Sequence, residues 1–243
     1  MTTAATQYPL VGSQPVGNFF QMDNTQRHVL GSLITFNDPF WGGGEAIYLQ
    51  MPVSTVLQVG TALAWDTATS FVATPIANTA NLGKGVAFLM NALASSTTTQ
   101  FGWAYVSGQA PVYSNASVAA DSPIGIAAAG QLGANTAGKE ILNARVTKPA
   151  TTTIVKANGT ATGGSNLLRV QNTDGLFVGV FLSGTGIAAG TTVTIIDPDN
   201  RTLTLSAATT AAVNSAVTAT YNNGTVFYNV LTFDRPFAEG AIT

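Results

Sequence analysis

The sequence predicts an all-β protein: an antiparallel β-sandwich or barrel domain with an extended N-terminal arm and a second small β-domain inserted near the C-terminus. From Leu30 onward, short apolar runs rich in aromatic and β-branched residues recur. Glycine, proline, asparagine, aspartate and serine separate them at intervals of roughly eight to twelve residues, the spacing of sandwiches and barrels. Helical periodicity is almost lacking. The only candidate helices, 91–96 and 124–129, are short and poorly capped.

Residues 1–30 are predicted to form the arm, because they are polar and aperiodic. The arm holds an aromatic pair, Phe19 and Phe20, and the single histidine of the chain, His28. Aromatic side chains require burial, so the pair either anchors on a neighbouring subunit or covers the core of its own domain. A lone histidine is more often structural or solvated than catalytic, and it excludes a histidine-based triad or a multi-histidine metal site.

The main β-domain is predicted to comprise 31–150 and 223–243. Its strand candidates are short segments rich in aromatic or branched residues: 46–50, 56–59, 85–90, 101–106, 111–113 and 141–146. Phe40 and Trp41 precede three glycines, 42–44, a pattern that predicts a mobile or tightly bent loop presenting rings at a surface. Trp41 is therefore either an interface hot spot or a ring folded back onto its own core.

A sharp shift toward threonine, alanine and glycine over 148–165 predicts a domain boundary, and 151–222 is predicted to be the inserted small β-domain. Within it, alternating strands at 193–195 and 203–205 flank a predicted turn at 197–200. Pro198 presets φ there, and the Asp197 side chain can hydrogen-bond the local backbone.

A second turn signal lies at Asn222-Asn223-Gly224. The segment that follows, 225–233, has the aromatic density of the main domain. It is therefore predicted to return to the main domain and pair with it.

Composition narrows the function classes. Only 9 Lys+Arg and 11 Asp+Glu occur in 243 residues, while 46% of residues are hydrophobic and the mean hydropathy is +0.27. A surface so poor in charge repels other proteins weakly and suits permanent assembly. The net charge of −2, with basic residues scattered singly, argues against a nucleic-acid partner. The lack of cysteine excludes disulfides, zinc–cysteine sites and thiol nucleophiles.

Neither a signal peptide nor a membrane span is expected. The first residues lack a basic n-region and an apolar h-region, and no apolar run approaches the ~20 residues that cross a bilayer.

The sequence predicts no enzyme, cofactor or metal site. The closest acidic pair, Asp197 and Asp199, flanks Pro198 in a turn, where turn capping explains the pair better than acid–base chemistry on a sugar. As a calcium loop the same stretch fails, because Arg201 stands where an oxygen ligand belongs. The glycines of 184–190 lack the lysine and the following helix of a nucleotide-binding loop.

Four segments occur in an order that resembles the head decoration (cement) proteins of tailed bacteriophages. They are G-V-A-F-L-M-N-A-L from Gly85, F-G-W-A-Y-V-S-G-Q-A-P-V from Phe101, V-A-A-D-S-P-I-G-I from Val118 and A-G-K-E-I-L-N-A-R-V from Ala137. The family's usual glycine before Asp121 is Ala120 here.

Residues 165–221 are similar to a small β-module inserted in many phage head and tail proteins. The likeness is carried by L-S-G-T-G-I-A-A-G-T-T-V from Leu182, with Ala188 in place of the usual proline.

These resemblances imply a virion structural protein that is made in the host cytoplasm and lies on the outer capsid surface. It would bind the major capsid protein and lock neighbouring capsomers, as a homotrimer. The candidate capsid or subunit interface is Phe19, Phe20, His28, Phe40 and Trp41. The alternative is a tail or head-fibre component that binds host-surface glycans through 151–222.

Overall fold

The computed structural model describes residues 22–38, 41–66 and 71–240. These residues contain sixteen β-strands and no helix, which confirms the predicted all-β class. The strands are β1 (Leu33–Asp38), β2 (Gly42–Met51), β3 (Ala62–Asp66), β4 (Val72–Pro75), β5 (Val86–Leu89), β6 (Gln100–Ser114), β7 (Ile124–Ala128), β8 (Gln131–Ala134), β9 (Ile141–Lys148), β10 (Thr153–Ala161), β11 (Leu167–Arg169), β12 (Phe181–Ser183), β13 (Val193–Asp197), β14 (Thr202–Leu205), β15 (Val213–Thr220) and β16 (Phe227–Ala238).

Both candidate helices are wrong. Residues 124–128 form β7, paired antiparallel with β8, because Ile124 and Ile126 recur with the two-residue period of a strand and both are buried. Residues 91–96 form neither a helix nor a strand, and Leu93 makes an isolated backbone bridge with Leu57.

The chain separates into two compact units. Among the described residues, the smaller unit comprises 151–225, and the larger comprises 22–150 with 226–240. Each unit has its own sheet: β1 to β9 and β16 belong to the larger, and β10 to β15 to the smaller.

The sheet of the larger unit contains a ring of strands. β2 pairs with β6, β6 with β5, β5 with β3, and β3 with β4. β4 returns to β2 through a single parallel pair, Gln50 with Val72. The five strands therefore form a partly closed barrel, which fits the predicted sandwich or barrel architecture.

Alternating side chains of these strands build two separate cores. On β2, Ile47 and Leu49 belong to one cluster, while Ala46 and Tyr48 belong to the other. The first cluster lies on one face of the ring strands and includes Leu63, Leu89 and Val106. The second lies on their other face, where β1, β7, β8, β9 and β16 contribute apolar side chains. Because β2 is buried on both faces, the segment Ala46–Leu49 is continuously apolar or aromatic and does not alternate with polar residues.

The last strand returns to the larger unit after residue 225. β16 pairs antiparallel with β6 from Phe227 opposite Ser114 to Asp234 opposite Ser107. Its other edge pairs with β9. Phe233 of β16 packs edge-on against Phe88 of β5, with ring centroids 4.7 Å apart.

The smaller unit is a six-stranded sheet in the order β12-β15-β10-β11-β14-β13. The two edge strands of this sheet, β12 and β13, lie close together. Val193 of β13 forms backbone hydrogen bonds with Gly179 and Val180, which directly precede β12. The buried apolar side chains of this unit include Leu168, Val180, Leu203, Val213, Val217 and Tyr221.

The predicted turn at 197–200 is confirmed. β13 and β14 form an antiparallel hairpin, and the Asp197 carboxylate caps the turn between them. It accepts hydrogen bonds from the Asn200 backbone N–H at 3.1 Å and the Asn200 side-chain amide at 2.7 Å. These bonds favour the charged form, so the pKa of Asp197 lies below its ordinary value.

A buried lysine holds one loop of the smaller unit. Lys156 is only 5% exposed. Its ammonium donates to Asn172 Oδ1 at 2.5 Å and to the Asp174 carbonyl at 2.7 Å. Burial disfavours the charged form and lowers the pKa of Lys156.

Replacing Tyr221 with phenylalanine tests the packing of the same loop. The Tyr221 hydroxyl donates to the Gly175 carbonyl at 2.7 Å, and burial raises the pKa of Tyr221 to about 12. Its folded pKa lies above the unfolded value near 10, so the stability that it contributes is present below pH 10 and is lost between pH 10 and 12.

We expect Tyr221→Phe to cost about 1 kcal/mol at neutral pH and to lose less further stability between pH 10 and 12 than the parent. Thermal unfolding across that range measures both effects. Lys156 is present in both proteins, so the difference isolates Tyr221. Equal losses of stability in alkali would contradict the assignment.

Candidate interaction surface

Two of the five predicted interface residues lie within the described part of the chain. These are His28 and Trp41, while Phe19, Phe20 and Phe40 lie outside the described residues. A row of aromatic side chains along β6 lies near both residues: His28 contacts it directly, and Trp41 is linked to it through Asp38.

The row follows from strand geometry. Phe101, Trp103 and Tyr105 alternate along β6 and therefore share a face. Tyr48 of β2 packs against Trp103 with ring centroids 5.0 Å apart, and Phe36 of β1 packs against Tyr105 at 5.2 Å. Trp103 and Tyr105 are buried, so most of this row is core and not a free binding platform.

His28 packs against two members of the row. Its ring meets Tyr48 edge-on at 5.1 Å and Trp103 at 5.3 Å. The ring is half-buried. This packing supports the structural role that a lone histidine most often has.

The segment around His28 is tied to the larger unit by polar contacts. Asp23 and Phe101 exchange two backbone hydrogen bonds of 3.0 and 2.8 Å. The Arg27 backbone N–H donates to the Tyr48 hydroxyl at 3.1 Å, and the Arg27 guanidinium pairs with Asp23 at 2.7 Å. Residues 22–30, predicted as part of an extended arm, therefore pack on the sheet of their own chain.

Trp41 lies in the β1–β2 connection and is linked to the row through Asp38. Its backbone N–H donates to Asp38 Oδ1 at 3.0 Å, and the Tyr105 hydroxyl donates to Asp38 Oδ2 at 3.1 Å. The Lys148 ammonium lies 5.4 Å from the Trp41 ring centroid, a cation–π contact. Trp41 is half-buried and is held by its own unit.

The glycines after Trp41 do not form the predicted loop. Gly42, Gly43 and Gly44 belong to β2 and pair with β1. A side chain at Gly44 would meet the Ser107 carbonyl and the Phe36 ring, 2.6 and 2.9 Å from its Cβ. Close packing thus requires glycine at this position, where the sequence pattern indicates flexibility.

An exposed apolar edge adjoins this region. Val29, 76% exposed, precedes β1, and Leu33, 50% exposed, is the first residue of β1. Thr35 and Asn37 of β1 are exposed on the same face. No local sequence signal marks these residues, because exposure of a strand edge depends on which strands pair in the folded sheet.

Ionic chemistry at this surface is sparse. The described residues form three ion pairs, Arg27–Asp23, Arg145–Glu140 and Arg235–Glu45, and each arginine is more than half exposed. Within 22–38, 41–66 and 71–240, His, Cys, Asp and Glu side chains nowhere gather in threes that could hold a metal ion. In the same ranges, no helix has the length and apolarity to span a bilayer.

Comparisons with known proteins add no assignment. No protein family, no curated protein and no solved structure matches this chain. The function is therefore argued from the chain itself.

Proposed function

We propose that this protein is a virion structural protein that binds the outside of a phage capsid and cements neighbouring capsomers. The observation that carries the proposal is a β-rich chain with an unusually low fraction of charged residues. Only 20 of its 243 residues are Lys, Arg, Asp or Glu. Six of these form the three ion pairs of the described residues. A surface with few charges suits lasting assembly better than free diffusion.

The proposed action is mechanical. A protein that contacts two capsomers buries surface across their joint, and that buried area opposes the pressure of packaged DNA. Each contact is expected to bury at least about 1,000 Å². The partner is the major capsid protein, and the assembled form is a homotrimer on the outer surface of a particle made in the host cytoplasm.

The N-terminal residues are proposed to make the attachment, and the structure refines how to test them. Because His28 covers Tyr48 and Trp103, deleting 1–30 would uncover core aromatics as well as remove the arm. Deleting 1–21 leaves the contacts of residues 22–30 in place.

We expect the 1–21 deletion to abolish binding to capsids that lack this protein and to leave the unfolding temperature unchanged. Deleting 1–30 should lose binding and stability together. Co-sedimentation with the particles and thermal unfolding measure the two effects. Unchanged sedimentation of the shorter deletion with capsids would contradict the role of the arm.

The alternative is a tail or head-fibre component that binds host glycans, and one face of the smaller unit favours it. Cross-strand rows place half-buried threonine hydroxyl groups beside exposed apolar side chains. Thr218 lies between Val155 and Ser183, and Thr204 is paired with both Leu167 and Ile195. Hydroxyl groups can donate to and accept from the hydroxyls of a neutral sugar.

The two functions differ in abundance. A cement protein occurs at a copy number comparable with that of the capsid protein, whereas a tail or fibre component occurs far less often in each particle. Copy number therefore separates them before any binding assay.

A further inference from the structure

We propose that β1 is a self-association edge, at which two copies of this chain pair antiparallel through residues 33–37. The proposal goes beyond capsid attachment, because it concerns a two-fold contact between copies that is separate from the three-fold interface of the proposed homotrimer. It is testable with the purified chain alone.

The backbone of β1 is used on one side only. The Tyr48 N–H donates to the Ser32 carbonyl, which therefore faces β2, whereas the Ser32 N–H donates to Val29. In the alternation of an antiparallel pair, Ile34 and Phe36 then direct both their N–H and C=O groups toward β2. Leu33, Thr35 and Asn37 therefore direct theirs outward. Among the described residues, nothing accepts from or donates to these outward groups.

Other strands with one neighbour in their sheet have their second edge covered. The second edge of β9 is covered by 121–122: the Asp121 N–H donates to the Val146 carbonyl, and the Val146 N–H donates to the Ser122 carbonyl. Ile126 N of β7 donates to the Lys139 carbonyl. In the smaller unit, the Leu182 N–H of β12 donates to the Thr191 carbonyl, and Val193 of β13 forms backbone hydrogen bonds with residues 179 and 180. Among the described strands, β1 differs from these in having an open edge.

The edge of β1 also lacks the usual protection against pairing. Proteins shield open edges with lysine, proline, bulges or very short strands. β1 has six residues, its register with β2 runs without a bulge, and its exposed side chains are Leu33, Thr35 and Asn37. None of the three carries a charge that would repel another strand.

A second copy of the same edge fits this strand in one register. Pairing Thr35 with Thr35 of the second copy places Leu33 opposite Asn37 in both directions. All the outward groups of residues 33, 35 and 37 are then satisfied, with about six hydrogen bonds formed. Threonine opposite threonine is a favourable cross-strand pair. The contact is self-complementary, as a two-fold interface requires.

The first test removes a backbone donor without touching the intramolecular sheet. Thr35→Pro lacks the outward N–H, and proline is tolerated on an edge strand where that group is unused. Across the two copies the change deletes two hydrogen bonds, so we expect self-association to weaken about tenfold or more. Sedimentation equilibrium of the full chain over a concentration series measures it.

The second test uses exposed side chains alone, and it stands even if the proline variant fails to fold. In the proposed register, L33K/N37E places lysine opposite glutamate twice, whereas L33K/N37K places lysine opposite lysine twice. We expect the first variant to self-associate about tenfold more tightly than the second at low salt. That difference should shrink in high salt.

These outcomes decide the proposal. A two-fold association that is lost in Thr35→Pro, or in L33K/N37K but not L33K/N37E, supports it. A parent chain that shows no association dependent on β1, with identical masses for both charged variants, overturns it. That result would also leave the capsid proposal standing, since capsid binding is measured separately.

Discussion

Replacing Asn229 with leucine is expected to lower the free energy of unfolding of the larger unit by about 3 kcal/mol or more. Asn229 of β16 is fully buried. Its Oδ1 accepts from the backbone N–H groups of Val118 at 3.0 Å and Ala150 at 2.9 Å, and its Nδ2 donates to the Ala116 carbonyl at 2.9 Å. Leucine fills a similar volume but removes the acceptor of two buried backbone N–H groups, those of Val118 and Ala150, and the donor to the Ala116 carbonyl.

The position gives this side chain its importance. Ala150 is the last residue of the larger unit before the chain enters the smaller one. The bond from Ala150 to Asn229 thus holds the last residue before the smaller unit against β16, within the larger unit.

A matched control lies on the same strand. Thr232→Val changes an exposed residue of β16 and should cost about 0.5 kcal/mol or less. Denaturant unfolding of the two variants measures the difference. A loss below about 1 kcal/mol for Asn229→Leu would show that other groups or water replace its bonds.

Replacing Gly60 with alanine is the second change expected to have a large effect, a loss of about 3 kcal/mol or more. Gly60 has φ +75°, and an added Cβ would lie 2.5 Å from the Pro111 carbonyl and 2.8 Å from Val112 Cα and Tyr113 N. These are backbone atoms, so no side chain can rotate away. The Gly60 N–H also bonds to Leu89, and its carbonyl to Tyr113.

Gly42 provides the control for this prediction. It belongs to the same unit and has φ +84°, but a Cβ there would meet nothing within 4 Å. Gly42→Ala should therefore cost only the backbone strain of a left-handed residue, about 1 to 2 kcal/mol. Equal destabilisation by the two substitutions would contradict the clash at Gly60.

Periodicity and turn chemistry predict the parts of the fold whose signals are local. The aromatic-rich run 101–106 predicts a strand, and β6 contains it. Asp197 and Pro198 predict the turn between β13 and β14, and the Asp197 carboxylate caps it. In both cases the information lies within a few residues of sequence.

Tertiary pairing decides the parts that the sequence misses. Gly108 and Pro111 indicate a break after 101–106, yet β6 continues to Ser114. It continues because its partner changes from β2, which pairs as far as Ser107, to β16, which pairs from Ser107 to Ser114. Likewise, nothing near Thr35 in the sequence distinguishes an open strand edge from a paired one.

The copy number of this protein relative to the major shell protein in purified particles distinguishes a cement protein from a tail or fibre component. Quantitative mass spectrometry of intact virions gives the ratio without assuming a binding site. A cement protein is expected at a ratio comparable with that of the shell lattice. A ratio far below it would contradict the cement function and place the protein in a tail or fibre, with glycan binding by 151–222 as the function to test.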